Sequence, residues 1–150
     1  MVITGLGAIS NLGHDVASTW SGLIEGRSGI GPITAFEQDD RWASQIAGEV
    51  KNWNPADKLD QSEIKKTDRF AQLGLWAAIE AMESSGFDWE QGNPYRNGVV
   101  IGSGVGGIQT IEHFAGVLTE RGPRRLSPFT VPKLMVNAAA GNVSIRFNLR

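Results

Sequence analysis

Apolar positions along the chain form two kinds of pattern, short runs that indicate strands and longer spacings that indicate helices. Residues 2–9, VITGLGAI, and residues 99–104, VVIGSG, are apolar runs with glycines, so each predicts a buried strand. Behind the first run, Asp15 is an N-cap residue for a predicted helix over residues 15–26, which Gly26 ends. This alternation of strand and helix is typical of a layered α/β domain.

The longest predicted helix begins at Asp60. Asp60 and Glu63 have the spacing of a capping box, and the pattern continues for about 25 residues to Gly86, a usual helix-ending residue. The middle, AQLGLWAAIEAM, is apolar nearly all round, which indicates a helix buried in a larger core. Its small residues would allow another backbone to approach closely; they are Ala71, Gly74, Ala78 and Ala81.

The rest of the chain predicts an irregular segment and two further helices. Residues 27–61 are rich in glycine, proline and polar residues, with short strands expected near residues 33–36 and 45–50. Two clear strands make a poor sheet, and such a sheet would leave an apolar face of the long helix bare. We therefore expect the chain to be part of a larger fold. The remaining predicted elements are a helix over residues 106–121, a proline-stiffened loop over 124–132 and a helix over 135–149.

Composition excludes several classes of function. Hydrophobic residues make up 41% and charged residues 20% of the 150 residues, as in globular domains, and the net charge of −2 does not favour nucleic acid or an anionic membrane. The absence of a basic leader and of a membrane-length apolar run predicts a cytoplasmic protein with no membrane partner. The chain has no cysteine and only two histidines, which argues against disulfides, a thiolate nucleophile or a histidine-based metal site within these residues.

The glycines of GSGVGG raise the question of a cofactor. Gly102, Gly104 and Gly107 spell G-x-G-x-x-G between a predicted strand and a predicted helix, which is one part of a dinucleotide-binding fingerprint. The following helix leads into RRLSPFTVP, however, and not into a strand that ends in a ribose-binding acid. We therefore predict no cofactor. The simpler alternative is that the glycines only close a tight turn.

Five motifs together indicate a family. The segments VITGLGAISNLG, GRSGIGPITAF, KKTDRF, GSGVGGIQTIE and GPRRLSPFTVP occur in this order and spacing. They resemble the N-terminal portion of the β-ketoacyl-acyl-carrier-protein synthases, and most closely the synthase II type, over essentially the whole chain. The resemblance implies that residues 1–150 are the N-terminal part of a thiolase-like layered α/β fold, incomplete in this chain, whose members are usually homodimers.

The resemblance also implies a reaction. Members of this family condense an acyl thioester with malonyl-acyl-carrier protein, with loss of carbon dioxide, in fatty-acid elongation. Their cysteine nucleophile, two histidines and a lysine match positions expected beyond Arg150, so the domain is expected to be truncated before the catalytic cysteine. We expect no catalytic residue in this chain and no activity of the chain alone. His14 and His113 do not match the family's histidines.

Binding residues are the ones that the resemblance places in this chain. Val105, between Gly104 and Gly106, matches a position that lines the acyl-chain pocket, and an isoleucine is frequent there. The smaller valine leads us to expect easier access for longer or branched chains. Thr130 matches a position in a loop that reaches toward the acyl pocket of the partner protomer, where an aromatic residue is common. The alternative for both residues is simple packing.

The resemblance places a docking surface for acyl carrier protein at Lys65 and Lys66, which Arg124 and Arg125 are expected to extend. Cationic side chains on an exposed helix end accelerate association with an acidic partner. A helix end that is merely solvated is the alternative.

Two other functions remain open at this point. One is a non-catalytic partner of the same fold, like the chain-length factors of polyketide synthases, which lack the cysteine. The other is a nucleotide-binding α/β module. The synthase is also compatible with one domain of a polyketide enzyme, although Met1 directly before the first predicted strand favours a discrete protein.

Overall fold

The computed structural model describes residues 1–91 and 93–150. Helices account for most of the regular structure. In chain order the elements are α1 (Val16–Ile24), β1 (Gly31–Pro32), β2 (Ile46–Ala47), a 3-10 turn (Pro55–Asp57), α2 (Gln61–Lys66), α3 (Arg69–Ser85), a 3-10 turn (Pro94–Arg96), α4 (Ile108–Arg121), a 3-10 turn (Pro123–Arg125), α5 (Thr130–Leu134) and α6 (Ala138–Phe147).

The core forms where α3 packs against α6. Leu75 and Ile79 of α3 and Val143 and Phe147 of α6 are buried in one apolar cluster, joined by Leu59. Burying side chains of this size is the main source of stability in such a domain. The predicted burial of the central part of the long helix is confirmed.

Close backbone approach at α3 is also confirmed. A Cβ added to Gly74 would lie 3.3 Å from the Cβ of Ala139 in α6. A side chain on Gly7 would overlap the carbonyl oxygen of Ala77, so the N-terminal segment lies directly on the helix. Gly7 needs to be glycine because a larger residue would separate the N-terminal segment from the helix, whereas Gly74 allows a close fit against the Ala139 side chain.

The structure divides the long helix predicted from Asp60 to Gly86 into α2 and α3. The capping box is present: the Glu63 N–H donates to Asp60 Oδ1 (2.8 Å) and the Asp60 N–H to Glu63 Oε2 (2.9 Å). Thr67 has an extended backbone, and Asp68 starts a new helix by accepting from the Phe70 N–H. The prediction of one continuous helix was wrong because Asp68 is itself an N-cap. Gly86 ends α3 in the left-handed conformation, as predicted.

The two predicted strands over residues 2–9 and 99–104 are not paired. Within the described part of the chain the one ladder is the antiparallel pair β1–β2, with Gly31 opposite Ala47. Residues 2–9 are held instead by side chains of α3: the Ala8 N–H donates to Glu80 Oε2 (2.9 Å) and the Leu6 N–H to Ser84 Oγ (3.0 Å). A strand requires a hydrogen-bonding neighbour, and neither segment has one among the described residues.

Further boundaries differ from the predictions for local reasons. β1 and β2 lie close to the strands expected near residues 33–36 and 45–50 but are only two residues each. The loop predicted over residues 124–132 contains the start of α5, with Pro132 third in that helix. Pro132 is tolerated there because the first N–H groups of a helix have no partner within the helix. The last predicted helix begins at Ala138, later than expected.

Candidate functional site

The turn before α4, residues 102–107, is fixed by its own hydrogen bonds. The Gly106 N–H donates to Ser103 Oγ (3.0 Å), and Gly106 has a φ of 79°, which favours glycine. The Gly107 N–H donates to the carbonyl oxygen of Leu134 at the end of α5 (3.2 Å). The turn is therefore attached to α5 as well as to the helix that it starts.

The glycines of this turn have two different environments. A Cβ on Gly106 would lie 2.6 Å from the Leu134 carbonyl oxygen, and one on Gly107 would lie 2.5 Å from that of Lys133. Gly102 and Gly104 have no atom within 4 Å of an added Cβ among the described residues. Close approach thus explains Gly106 and Gly107, whereas no contact among those described residues requires glycine at Gly104.

Val105 and Thr130 lie in neighbouring parts of the structure. Val105 is 55% exposed at the tip of the glycine turn. Thr130 is the first residue of α5 and is half-buried, and its hydroxyl donates to the Ser127 carbonyl oxygen (2.7 Å). The hydrogen bond from Gly107 to Leu134 connects the two segments, since Leu134 is the last residue of the helix that Thr130 begins.

Asp68 contacts this turn and was not singled out from the sequence. Its side chain is buried, and Oδ2 accepts hydrogen bonds from the Thr110 N–H (2.9 Å) and hydroxyl (2.6 Å). Thr110 lies in the first turn of α4, whose N-cap, Gly107, has no side chain to offer. Asp68 lies within KKTDRF, one of the five motifs that indicate the family. Its partner Thr110 is 42 residues away, and no local pattern identifies that contact.

The predicted basic residues are exposed on two elements. Lys65 and Lys66 form the last turn of α2, and Arg124 and Arg125 lie in the 3-10 turn after α4. No hydrogen bond or ion pair joins one pair to the other within residues 1–91 and 93–150. The C-terminal end of a helix carries a partial negative charge, which favours the cationic Lys65 and Lys66 in the last turn of α2.

The acidic residue of α2 is neutralised by a partner in α6. Glu63 accepts two hydrogen bonds from Arg146 Nη1, at 2.5 and 2.6 Å, and the side chains of Arg146 and Glu63 are 30% and 20% exposed. Lys65 and Lys66 are left without an acidic partner in the described part of the chain. The exposed side of this helix end is consequently cationic.

The two histidines have ordinary structural contacts. His14 Nε2 lies 2.9 Å from the Lys51 carbonyl oxygen, and the His113 ring packs edge-on against Phe114. The described residues contain no group of three metal-ligating side chains. None of their helices is both long and apolar enough to cross a membrane.

Comparison with known proteins gives the same family for the entire chain. The sequence profile described as "Beta-ketoacyl synthase, N-terminal domain" matches residues 1–150. Proteins named 3-oxoacyl-(acyl-carrier-protein) synthase 2 are similar: that of Coxiella burnetii is 44% identical over 150 residues, and that of Vibrio harveyi is 41% identical over the same length. Both matches cover 100% of this chain but 36% of the relative.

Solved structures show the fold. A ketosynthase/chain length factor described for ishigamide has a TM-score of 0.80 at 23% identity, covering 99% of this chain and 37% of that one. A type II polyketide ketosynthase in complex with its acyl-carrier protein has a TM-score of 0.77 at 23% identity, covering 99% of this chain and 38% of that one. The mainly helical structure with its small sheet is thus part of a ketosynthase fold, and the nucleotide-binding alternative is not favoured.

Proposed function

The chain belongs to the β-ketoacyl synthase family, and on that premise we propose that the protein containing it is a 3-oxoacyl-(acyl-carrier-protein) synthase of the synthase II type. Its reaction is the decarboxylating condensation of an acyl thioester with malonyl-acyl-carrier protein, which lengthens the acyl chain by one two-carbon step. The identity of 41–44% to synthases of this name, over the whole chain, carries the proposal. The same relatives do not favour the chain-length-factor alternative.

This chain spans just over a third of the length of those relatives. We therefore assign only part of the reaction to it. The chain contains no cysteine, and the nucleophile is proposed to lie in the remainder of the protein. Residues 1–150 would bind and orient the acyl chain and the carrier protein. Orientation of the reacting groups is a large part of catalysis, because it removes the entropy cost of bringing them together.

The acyl-chain contact is assigned to the glycine turn. Val105 lines the pocket, with Gly104 and Gly106 on either side, and Thr130 approaches the pocket of the partner protomer in a homodimer. The exposed apolar side chain of Val105 on a turn fixed at Gly106 and Gly107 supports this assignment. A fixed backbone gives a defined limit to pocket length, which a mobile loop would not.

The carrier-protein contact is assigned to the basic residues Lys65, Lys66, Arg124 and Arg125. Their exposure and the neutralisation of Glu63 by Arg146 support this role. One structural neighbour was solved as a ketosynthase in complex with its acyl-carrier protein, which supports an acidic carrier as the partner of this protein. The two pairs lie on separate elements, α2 and the 3-10 turn after α4.

The proposed function is tested by condensation with the full-length protein that contains this chain. The purified protein is mixed with an acyl-carrier thioester and malonyl-acyl-carrier protein, and the carrier species are followed by mass spectrometry. We expect a 3-oxoacyl-carrier product two carbons longer than the starting acyl group, formed only when the malonyl thioester is present. No extended product with any acyl chain length would contradict the proposal.

A further inference from the structure

Asp68 connects the N-termini of two helices that are distant in sequence. Its Oδ1 accepts from the Phe70 N–H in the first turn of α3 (3.3 Å), and its Oδ2 accepts from the N–H (2.9 Å) and hydroxyl (2.6 Å) of Thr110. The residue is 6% exposed. Both helices are long, 17 and 14 residues, so each directs a substantial positive dipole end at this carboxylate.

The start of α4 depends on this contact. Thr110 is the third residue of α4, a position whose N–H is normally satisfied by the side chain of the N-cap residue. The N-cap of α4 is Gly107, and a Cβ on Gly107 would lie 3.0 Å from Asp68 Oδ2. Asp68 thus supplies from α3 the capping acceptor that the glycine cannot, and the absence of a side chain on Gly107 gives it room.

A second buried side chain fixes α2 to α3. Gln72, 9% exposed, donates through Nε2 to the carbonyl oxygens of Ile64 and Thr67, both at 3.2 Å. These carbonyls belong to the end of α2, where helical carbonyls lack partners within the helix. Gln72 and Asp68 are neighbours on one turn of α3, so α2 and α4 are attached to the same point of α3.

The two segments joined in this way lie next to the residues assigned to the carrier protein and to the acyl chain. Lys66 is two residues before Asp68, and Val105 is two residues before Gly107. We propose that Asp68 is a positioning residue that holds the Val105 turn in a fixed relation to the basic end of α2, and that it thereby sets acyl-chain-length selectivity. This inference rests on the proposed function, and it assigns the selectivity to a residue that does not contact the acyl chain.

The test compares two N-cap aspartates in the full-length protein. Asp68→Asn keeps the size of the side chain, but one amide oxygen cannot accept from both α3 and α4. Asp60→Asn is the matched control, because Asp60 caps only α2. Thr110→Val, compared with Thr110→Ser, removes one donor of the contact and leaves the cap of α3 intact.

Two measurements are made on each variant. The first is hydrogen exchange at the amides of residues 106–111, which we expect to accelerate about tenfold or more in Asp68→Asn, because hydrogen bonds to charged groups are among the stronger ones. The second is the ratio of kcat/KM for a long and a short acyl-carrier thioester. We expect this ratio to change by about threefold or more in Asp68→Asn and Thr110→Val, and to stay at the wild-type value in Asp60→Asn and Thr110→Ser.

The outcomes separate this inference from the proposed function. Wild-type exchange and a wild-type ratio in Asp68→Asn would overturn the inference, and so would equal changes in Asp60→Asn, which would indicate general loosening. If the wild-type protein does not condense any substrate, the proposed function and the selectivity role fail together. The exchange measurement then still decides whether Asp68 positions the turn.

Discussion

At the scale of single residues, the acyl-chain proposal depends most on Val105. Replacing Val105 by Phe places a ring where the pocket is proposed to end. We expect kcat/KM for the longest accepted acyl chain to fall at least about tenfold, with short chains little affected, because each excluded methylene is worth about 1–3 kcal/mol. The measurement is a set of condensation rates over a series of chain lengths.

The control for Val105 is Leu118→Phe, which adds a ring to another exposed apolar position near the far end of α4. Its chain-length profile is expected to match that of the wild type. A uniform loss of rate in Val105→Phe at all chain lengths would mean that Val105 serves packing and does not limit the pocket.

Glu49 provides a residue-scale prediction about acid stability. Hydrogen bonds from the Thr34 N–H and hydroxyl lower its pKa from 4.5 to about 2, aided by the Ala35 N–H and Lys51. A carboxyl whose pKa is lower in the folded state stabilises the fold above its unfolded pKa. This contribution is therefore full above pH 4.5 and is lost as the pH falls toward about 2.

Comparison with Glu49→Gln measures this contribution. The free energy of unfolding of the wild type should exceed that of Glu49→Gln at neutral pH, and the difference should shrink at about pH 3. Urea denaturation of the full-length proteins provides both values. Glu37→Gln is the control, because Glu37 accepts no hydrogen bond in the described part of the chain. A difference independent of pH would show that the charge of Glu49 is not what holds Thr34.

At the scale of elements, the basic end of α2 makes the docking proposal testable. Lys65→Glu combined with Lys66→Glu should raise the KM for acyl-carrier protein about tenfold at low salt, with kcat nearly unchanged. The effect should decline as salt rises, because exposed charges are screened over about 8 Å at physiological ionic strength. Steady-state kinetics at two salt concentrations measure both.

The matched control reverses two other exposed cations, Arg27 and Arg41, which lie outside α2 and form ion pairs with Glu25 and Asp39. Exposed pairs contribute little to stability, so this variant should fold and keep the wild-type KM. Equal increases in KM for both double variants would indicate an effect of net charge and would contradict a docking role for α2.

Some element boundaries could be predicted from the local sequence pattern alone. The N-caps at Asp15 and Asp60 and the C-cap at Gly86 were predicted and are present, since a cap is satisfied by atoms within a few residues. The division at Asp68 was missed because KKTDRF lies inside a pattern that continues as helix on either side. An N-cap inside a continuous helical pattern is recognised only when the structure shows its side chain accepting a hydrogen bond from the following helix, as Asp68 does from the Phe70 N–H.

At the scale of the whole molecule, many large apolar side chains are exposed to solvent. Val2 and Ile3 are 82% exposed, Val100 is fully exposed, and Trp20 of α1 is 62% exposed. Large apolar side chains exposed to this degree favour association with another surface. The chain also spans 36% of the length of the similar synthase from Coxiella burnetii, and in the full-length protein proposed above the remainder would cover these residues.

A polypeptide of residues 1–150 produced alone should therefore bind the dye ANS strongly and aggregate. Size-exclusion chromatography with light scattering and ANS fluorescence test this, with the full-length protein as the control. We expect a several-fold increase in dye fluorescence for residues 1–150 and little for the full-length protein. A monomeric, cooperatively unfolding polypeptide that does not bind the dye would contradict the prediction.

The sequence alone determined the family, the existence of most helices and the caps at Asp15, Asp60 and Gly86. These depend on ordered motifs and on hydrogen bonds between neighbours in the chain, which a linear pattern contains. Only the tertiary structure decided that residues 2–9 and 99–104 form no ladder among the described residues, that Gly106 and Gly107 are required by the backbone of residues 133–136, and that Asp68 caps α4. Each of these depends on atoms contributed by segments far apart in the chain, and no local periodicity records which distant segment is the partner.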